Sequence, residues 1–158
     1  MTDYGHTYVI DNNALTFLKP EHRSSNFFKQ KCRIPSEVLY EARGFPDIEE
    51  LTELEYPTTA SVLTALIEIM SSVPSTDTKL VNLYANQGNA DPMVVACALD
   101  GQRKDESALF GSTWVVVSGD KAVQAKAHEL KIEVRSNHNF LAVLMGRTPE
   151  SAKGDRDE

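Results

Sequence analysis

Residues 113–122 run Thr113-Trp114-Val115-Val116-Val117-Ser118-Gly119-Asp120-Lys121-Ala122. A β-branched and aromatic run with no polar alternation is the mark of a strand covered on both faces, because a strand with one wet face alternates. Ser118-Gly119-Asp120 is a turn, and a helix is expected from there through Leu130. The chain opens on the same pattern. Tyr8-Val9-Ile10 is a short buried strand ending at Asp11, and Asn12 and Asn13 are placed to cap a helix holding Ala14, Leu15, Phe17 and Leu18. Ile132-Glu133-Val134 reads as a last short strand, followed by a helix capped by Asn137 and running through Met145. Strands that alternate with helices predict a parallel sheet in an α/β sandwich. In such folds the active site lies at the carboxyl ends of the strands.

Between these landmarks the periodicity is mostly helical. Pro20 restarts the chain into a second helical stretch with Phe27 and Phe28 as core residues, and Arg33-Ile34-Pro35 leads to Ser36, an N-cap for a helix ended by Gly44. Residues 45–58 read as an acidic loop or short exposed helix. Val62, Leu66, Ile69, Met70 and Val73 fall at helical spacing, and Leu80, Val81, Leu83 and Tyr84 mark another helix. Asp91-Pro92 opens a helix whose first turns, MVVACAL, are apolar nearly all round and therefore buried. Residues 100–112 read as a polar loop, and residues 148–158 as a polar, disordered tail after a single domain of residues 1–147.

At 158 residues the chain is one ordinary domain. Hydrophobic residues make up 41% and charged residues 25%, a globular balance. No apolar run approaches the roughly 20 residues of a membrane helix. No basic segment leads into an apolar one at the N-terminus, and two cysteines without metal spacing point to a reducing cytoplasm. The net charge of -7 is concentrated: residues 41–77 carry eight acids and one base, and the remainder is neutral. That total disfavours a protein that coats nucleic acid by bulk charge. It leaves room for local grip, and residues 19–33 hold Lys19, Arg23, Lys29, Lys31 and Arg33 against Glu21 alone.

Four carboxylates occupy special places. Asp11 follows the first strand, Glu41 lies on the helix after Arg33-Ile34-Pro35, Asp91 heads the buried helix, and Asp120 follows the Val-rich strand. Acids gathered at one sheet edge repel each other unless a cation joins them. Hard divalent ions such as Mg²⁺ and Mn²⁺ take oxygen ligands and activate water against a phosphodiester. The plainer readings are that Asp11 and Asp91 are helix caps, Glu41 a solvated charge and Asp120 a turn residue.

YVIDNNAL, IPSEVLYEA, NADPMVVACAL and WVVVSGDKAV, in that order, resemble the motifs of PIN domains over nearly the whole chain to about residue 145. The resemblance implies a three-layer α/β/α sandwich with a central parallel sheet. It implies a Mg²⁺- or Mn²⁺-dependent ribonuclease site in which Asp11, Glu41, Asp91 and Asp120 are both the catalytic and the metal-binding residues. It further implies kinship with VapC-like toxins, and so an antitoxin partner and a homodimer. The chain departs from the family pattern where Asn12 and Asn13 stand in place of Thr or Ser after the first acid, which makes them supporting residues behind the metal ligands. It departs again where Lys121-Ala122 follows Asp120 in place of a further acid. Lys19, Arg23, Lys29 and Lys31 are the expected contacts to the RNA backbone.

Two other readings compete. The same fold with a degenerate site would be a PIN-like binding or regulatory module, recognised by failure to bind Mn²⁺. A phosphoacceptor receiver domain also gathers acids at strand ends, but it needs an acid pair near the first strand, and this chain has none.

Overall fold

The computed structural model describes residues 5–71, 90–109 and 111–147, without the side chains of Ala90 and Asp91. The expected helix carrying Leu80, Val81, Leu83 and Tyr84, and the tail from residue 148, lie outside the described residues.

Strands β1 (His6–Ile10), β2 (Cys32–Pro35), β3 (Glu55–Tyr56), β4 (Thr113–Val117) and β5 (Glu133–Arg135) form one parallel sheet in the order β3-β2-β1-β4-β5. The helices are α1 (Asn12–Phe17), α2 (Pro20–Arg23), α3 (Asn26–Lys31), α4 (Ser36–Glu41), α5 (Ile48–Thr52), α6 (Ala60–Ser71), α7 (Ala90–Glu106), α8 (Lys121–Glu129) and α9 (Asn137–Leu144). They flank the sheet on both sides, giving the α/β/α sandwich. Tyr8 on β1 packs against Phe27 of α3 and Phe140 of α9 on one face. Trp114, which pairs with Thr7 and so points to the other face, packs against α7. The observed order also excludes the receiver reading, whose sheet runs 2-1-3-4-5. No helix among the described residues is long and apolar enough to cross a membrane.

The central strands are covered as their composition requires. Tyr8, Val9 and Ile10, and Val115 through Val117, are fully buried, each such side chain contributing on the order of 1.5–3 kcal/mol. The MVVACAL turns of α7 are buried throughout, as expected. Three expectations need correction. First, the segment taken to lead into Ser36 is a strand, because residues 32–35 pair with β1 and β3. Second, the acidic stretch 45–58 holds both the short helix α5 and the two-residue strand β3. Third, residues 100–106 continue α7 and are not loop. Those turns are polar because only one stripe meets the protein. Asp100, buried there, accepts from Tyr56 Oη at 2.6 Å and from Lys104 Nζ at 3.1 Å. Burial alone would raise its pKa; the bonds from Tyr56, Ser61 and Lys104 outweigh that and hold it low.

Arg23 is a second buried polar hub. Its guanidinium grips Asp47 with two bonds of 2.9 and 3.0 Å, donates to the carbonyls of Leu15 and Leu18 at 3.0 and 2.7 Å, and lies over the Phe45 ring. It ties the end of α1 to the approach to α5. Arg23 is therefore a structural residue, and it leaves the set of expected RNA contacts because none of its charge faces outward.

Candidate active site

The chain lays down β1, β2 and β3 in one direction, then returns past β1 to add β4 and β5. The order reverses between β1 and β4, and a crevice outside their carboxyl ends is where such sheets bind ligands. The register aligns those ends: Ile10 pairs with Val117, and the Asp11 amide donates to the Val117 carbonyl at 3.3 Å. Ser118 is fully buried beside Asp11, and its own amide donates to Arg135 at the end of β5.

Asp11 is 1% exposed. One oxygen, Oδ1, accepts from the Ala14 amide at 2.7 Å and caps α1, the role that the sequence reading gave to Asn12 and Asn13. Those asparagines lie within the first turn of α1, outside the cap. The other oxygen, Oδ2, is buried with no hydrogen-bond partner among the described residues. Burial pushes the Asp11 pKa up to about 6. The nearby Ser118 hydroxyl, which stands outside hydrogen-bond geometry to Oδ2, and the Ala14 amide pull it down, and the charges of Asp120 and Glu41 push it up further. A native protein rarely leaves a buried carboxylate oxygen unpaired, so capping explains half of Asp11 and leaves the other half without a structural purpose.

Asp120 caps α8, accepting from the Ala122 and Val123 amides at 2.8 and 3.0 Å through Oδ1. Its own amide donates to Ser118 Oγ at 3.0 Å, and Gln124 donates to the Ser118 carbonyl at 2.7 Å, so the turn is fixed from both sides. Glu41 sits at the last residue of α4, half-buried. That helix follows the carboxyl end of β2 and touches both α1 and α7, and Glu41 lies within electrostatic reach of Asp11.

Asp91 falls in the first turn of α7. The last turns of that helix meet the start of β4, where Gln102 accepts from the Trp114 amide at 3.0 Å and Asp105 from its indole at 2.7 Å. Its first turn therefore lies toward the opposite end, at the same carboxyl edge as Asp11. Backbone placement thus assigns all four acids to one edge, and the side chains of three are described. Among the described residues, no three His, Cys, Asp or Glu side chains stand close enough to hold a metal ion.

Ser118 was expected only in a turn and Asn137 only as a helix cap. Ser136, not Asn137, caps α9, accepting from the Asn139 amide at 3.1 Å. The Asn137 side chain packs against Gly119 so closely that a Cβ there would stand 3.0 Å from Nδ2, and its Oδ1 is buried without a partner among the described residues. The signal for both was the Ser-Gly pair straight after a strand covered on both faces, where small residues permit close approach.

Two of the expected RNA-contacting lysines, Lys29 and Lys31, are elsewhere. Tyr8 pairs with Cys32, so Asp11 lies three residues, about 10 Å, beyond the start of β2 along the strand direction. Lys29 and Lys31 precede that start and sit at the amino edge. There Lys29 is 3.7 Å from Glu50 and shares a cleft with Arg33, Glu50, Glu53 and Leu54. Lys19 is exposed at the head of α2. Both cysteines are buried free thiols, with the Cys97 pKa pushed up to about 12 by burial and the Asp100 charge, so neither is a nucleophile at neutral pH. Comparison with family models and with curated proteins finds no match for this chain.

Proposed function

We propose that this protein is a Mg²⁺- or Mn²⁺-dependent endoribonuclease whose site lies at the carboxyl ends of β1 and β4. The observation that carries the reading is Asp11 Oδ2, a buried carboxylate oxygen without a hydrogen-bond partner among the described residues, with Glu41 and Asp120 near enough to raise its pKa. Such an arrangement is costly in an ion-free protein and is relieved by a cation. The oxygen-only donor set suits a hard divalent ion, and the resemblance of the four motifs to PIN domains points the same way.

Asp11 and Asp91 would hold the ion, with Glu41 and Asp120 completing the cluster. When bound, the ion would supply a lowered pKa for the attacking water and positive charge against the phosphate. The protein's share is orientation. The Ala14 amide holds Asp11 Oδ1 and so fixes where Oδ2 points. The amides of Ala122 and Val123 do the same for Asp120. A toxin role in the cytoplasm, with an antitoxin and a homodimer, extends this reading and rests on the resemblance alone.

The test is cleavage of a mixed pool of small RNAs with Mn²⁺ or Mg²⁺, against EDTA and against the folded variants Asp11→Asn and Asp91→Asn. Cuts that need metal and fall at least 100-fold in both variants are the expected result. Equal cutting by the variants would return the acids to capping. The second reading is an inactive binding module in which Asp11 and Asp120 serve only as helix caps. Calorimetric titration with Mn²⁺ separates the two, since a degenerate site takes up none.

A further inference from the structure

With Arg23 buried and Lys29 and Lys31 at the far edge, three of the four residues expected to grip the substrate are not beside the acids. Helix α4 carries another set. Tyr40, next to Glu41 in the chain, is 64% exposed, the most open aromatic among the described residues. The Arg43 guanidinium lies over its ring at 4.0 Å and donates to the Tyr40 carbonyl at 2.7 Å. Among the described residues no other bond to that guanidinium is present and no carboxylate pairs with it. Arg103, Arg135 and Arg23, by contrast, are each bound to an acid. Arg43 is thus an unneutralised cation, next in the chain to the helix that lines the carboxyl edge, and it braces one face of an exposed aromatic ring. An open ring stacks on any nucleobase, and the free donors of an arginine suit a phosphate.

We propose that Tyr40 and Arg43 form a nucleotide subsite at the rim of the acid cluster. Tyr40 stacks on one base of a single-stranded RNA, and Arg43 holds the adjoining phosphate, so that the strand passes Glu41 on its way to Asp11. The subsite rests on the nuclease reading for its substrate, and it adds what that reading lacks: an attractive contact that offsets the repulsion between phosphate and clustered carboxylates.

The experiment is fluorescence anisotropy of a 5′-labelled single-stranded ten-nucleotide RNA of mixed sequence, titrated with the full-length protein in EDTA. The variants are Tyr40→Ala, Tyr40→Phe and Arg43→Gln, and cleavage with Mn²⁺ is measured in parallel. Each residue is exposed, so thermal unfolding should stay within about 2 °C of wild type and exclude misfolding. Tyr40→Ala should weaken binding by roughly ten-fold, in the range of one lost base stack, and Tyr40→Phe by less than about two-fold. Arg43→Gln should lower the slope of log affinity against log salt by about 0.7, one phosphate contact on a single strand. Wild-type affinity in both Tyr40→Ala and Arg43→Gln, with cleavage intact, would overturn the subsite and leave the nuclease standing. Reduced binding in the variants without any metal-dependent cleavage would keep the subsite and sink the nuclease. Failure of the wild-type protein to bind the RNA in EDTA would overturn the subsite, and failure to cleave it with Mn²⁺ as well would remove both.

Discussion

At the scale of single residues, Asp11 carries two functions that conflict. As a cap it stabilises α1 through one oxygen, and as a buried acid it destabilises the fold through the other. Its pKa, raised from 3.8 to about 6, gives the sign. The folded state holds its proton more tightly than the unfolded chain, so the stabilising contribution is complete below about pH 3.8 and is lost as the pH rises through 6. Above that, ionisation of Asp11 costs the ion-free protein roughly 2–3 kcal/mol. Asn retains the capping oxygen and removes the charge. Asp11→Asn in EDTA is therefore expected to be more stable than wild type at pH 7.5 and to flatten the fall in stability between pH 5 and 7.5. Urea unfolding at the two pH values checks it, and identical curves for the two proteins would mean that the buried oxygen is not strained. Adding Mn²⁺ should restore the wild type and leave the variant unmoved, because an ion bound only by the folded state stabilises by mass action. Asp11, at the end of an apolar strand, was legible in the sequence as a special position. That one oxygen is bonded while the other has no partner among the described residues was not, since it depends on how closely β4 and Ser118 close over it.

At the scale of elements, long periodic patterns were readable and short or mixed ones were not. Strands β1 and β4 declared themselves because both faces are covered, so their residues are apolar without interruption. Strand β2 did not, because Cys-Arg-Ile-Pro mixes a charge and a proline into four residues, and β3 has only two residues. The helix α7 was cut short after Leu99, with residues 100–112, Gly101 among them, read as a loop. The glycine has a different purpose. Its absent side chain leaves room for the Trp114 indole, which lies 2.5 Å from where a Cβ would stand. The indole is held in place, because its N–H donates to Asp105 at 2.7 Å and its ring packs edge-on with Tyr56. Gly101→Ala should therefore destabilise by about 1–3 kcal/mol, the cost of overpacking, although alanine in a helix interior is otherwise favoured by roughly 1 kcal/mol. Chemical denaturation gives the sign, and near-ultraviolet circular dichroism should show a changed signal from Trp114, the single tryptophan. A variant more stable than wild type would mean that the indole moves aside freely.

At the scale of the whole molecule, charge is partitioned between the two edges of the sheet. The carboxyl edge gathers Asp11, Glu41, Asp120 and the first turn of α7. The amino edge carries Lys29, Lys31 and Arg33, partly answered by Glu50 and Glu53 across the cleft. Sequence reading grouped residues 19–33 as one basic patch because it sees distance only along the chain. The fold sends Arg23 inward and the lysines away from the acids. The parallel register fixes that separation at about 10 Å or more along the strands, comparable to the screening length at ordinary ionic strength. The sequence alone predicts that neutralising Lys29 and Lys31 flattens the salt dependence of RNA binding. The fold reverses that expectation: Lys29→Gln with Lys31→Gln should leave the slope within about 0.3 of wild type, while Arg43→Gln lowers it. Anisotropy titrations from 50 to 200 mM salt decide between them. A slope lowered by 1 or more in the lysine double variant would route the RNA across the amino edge and detach it from the acid cluster.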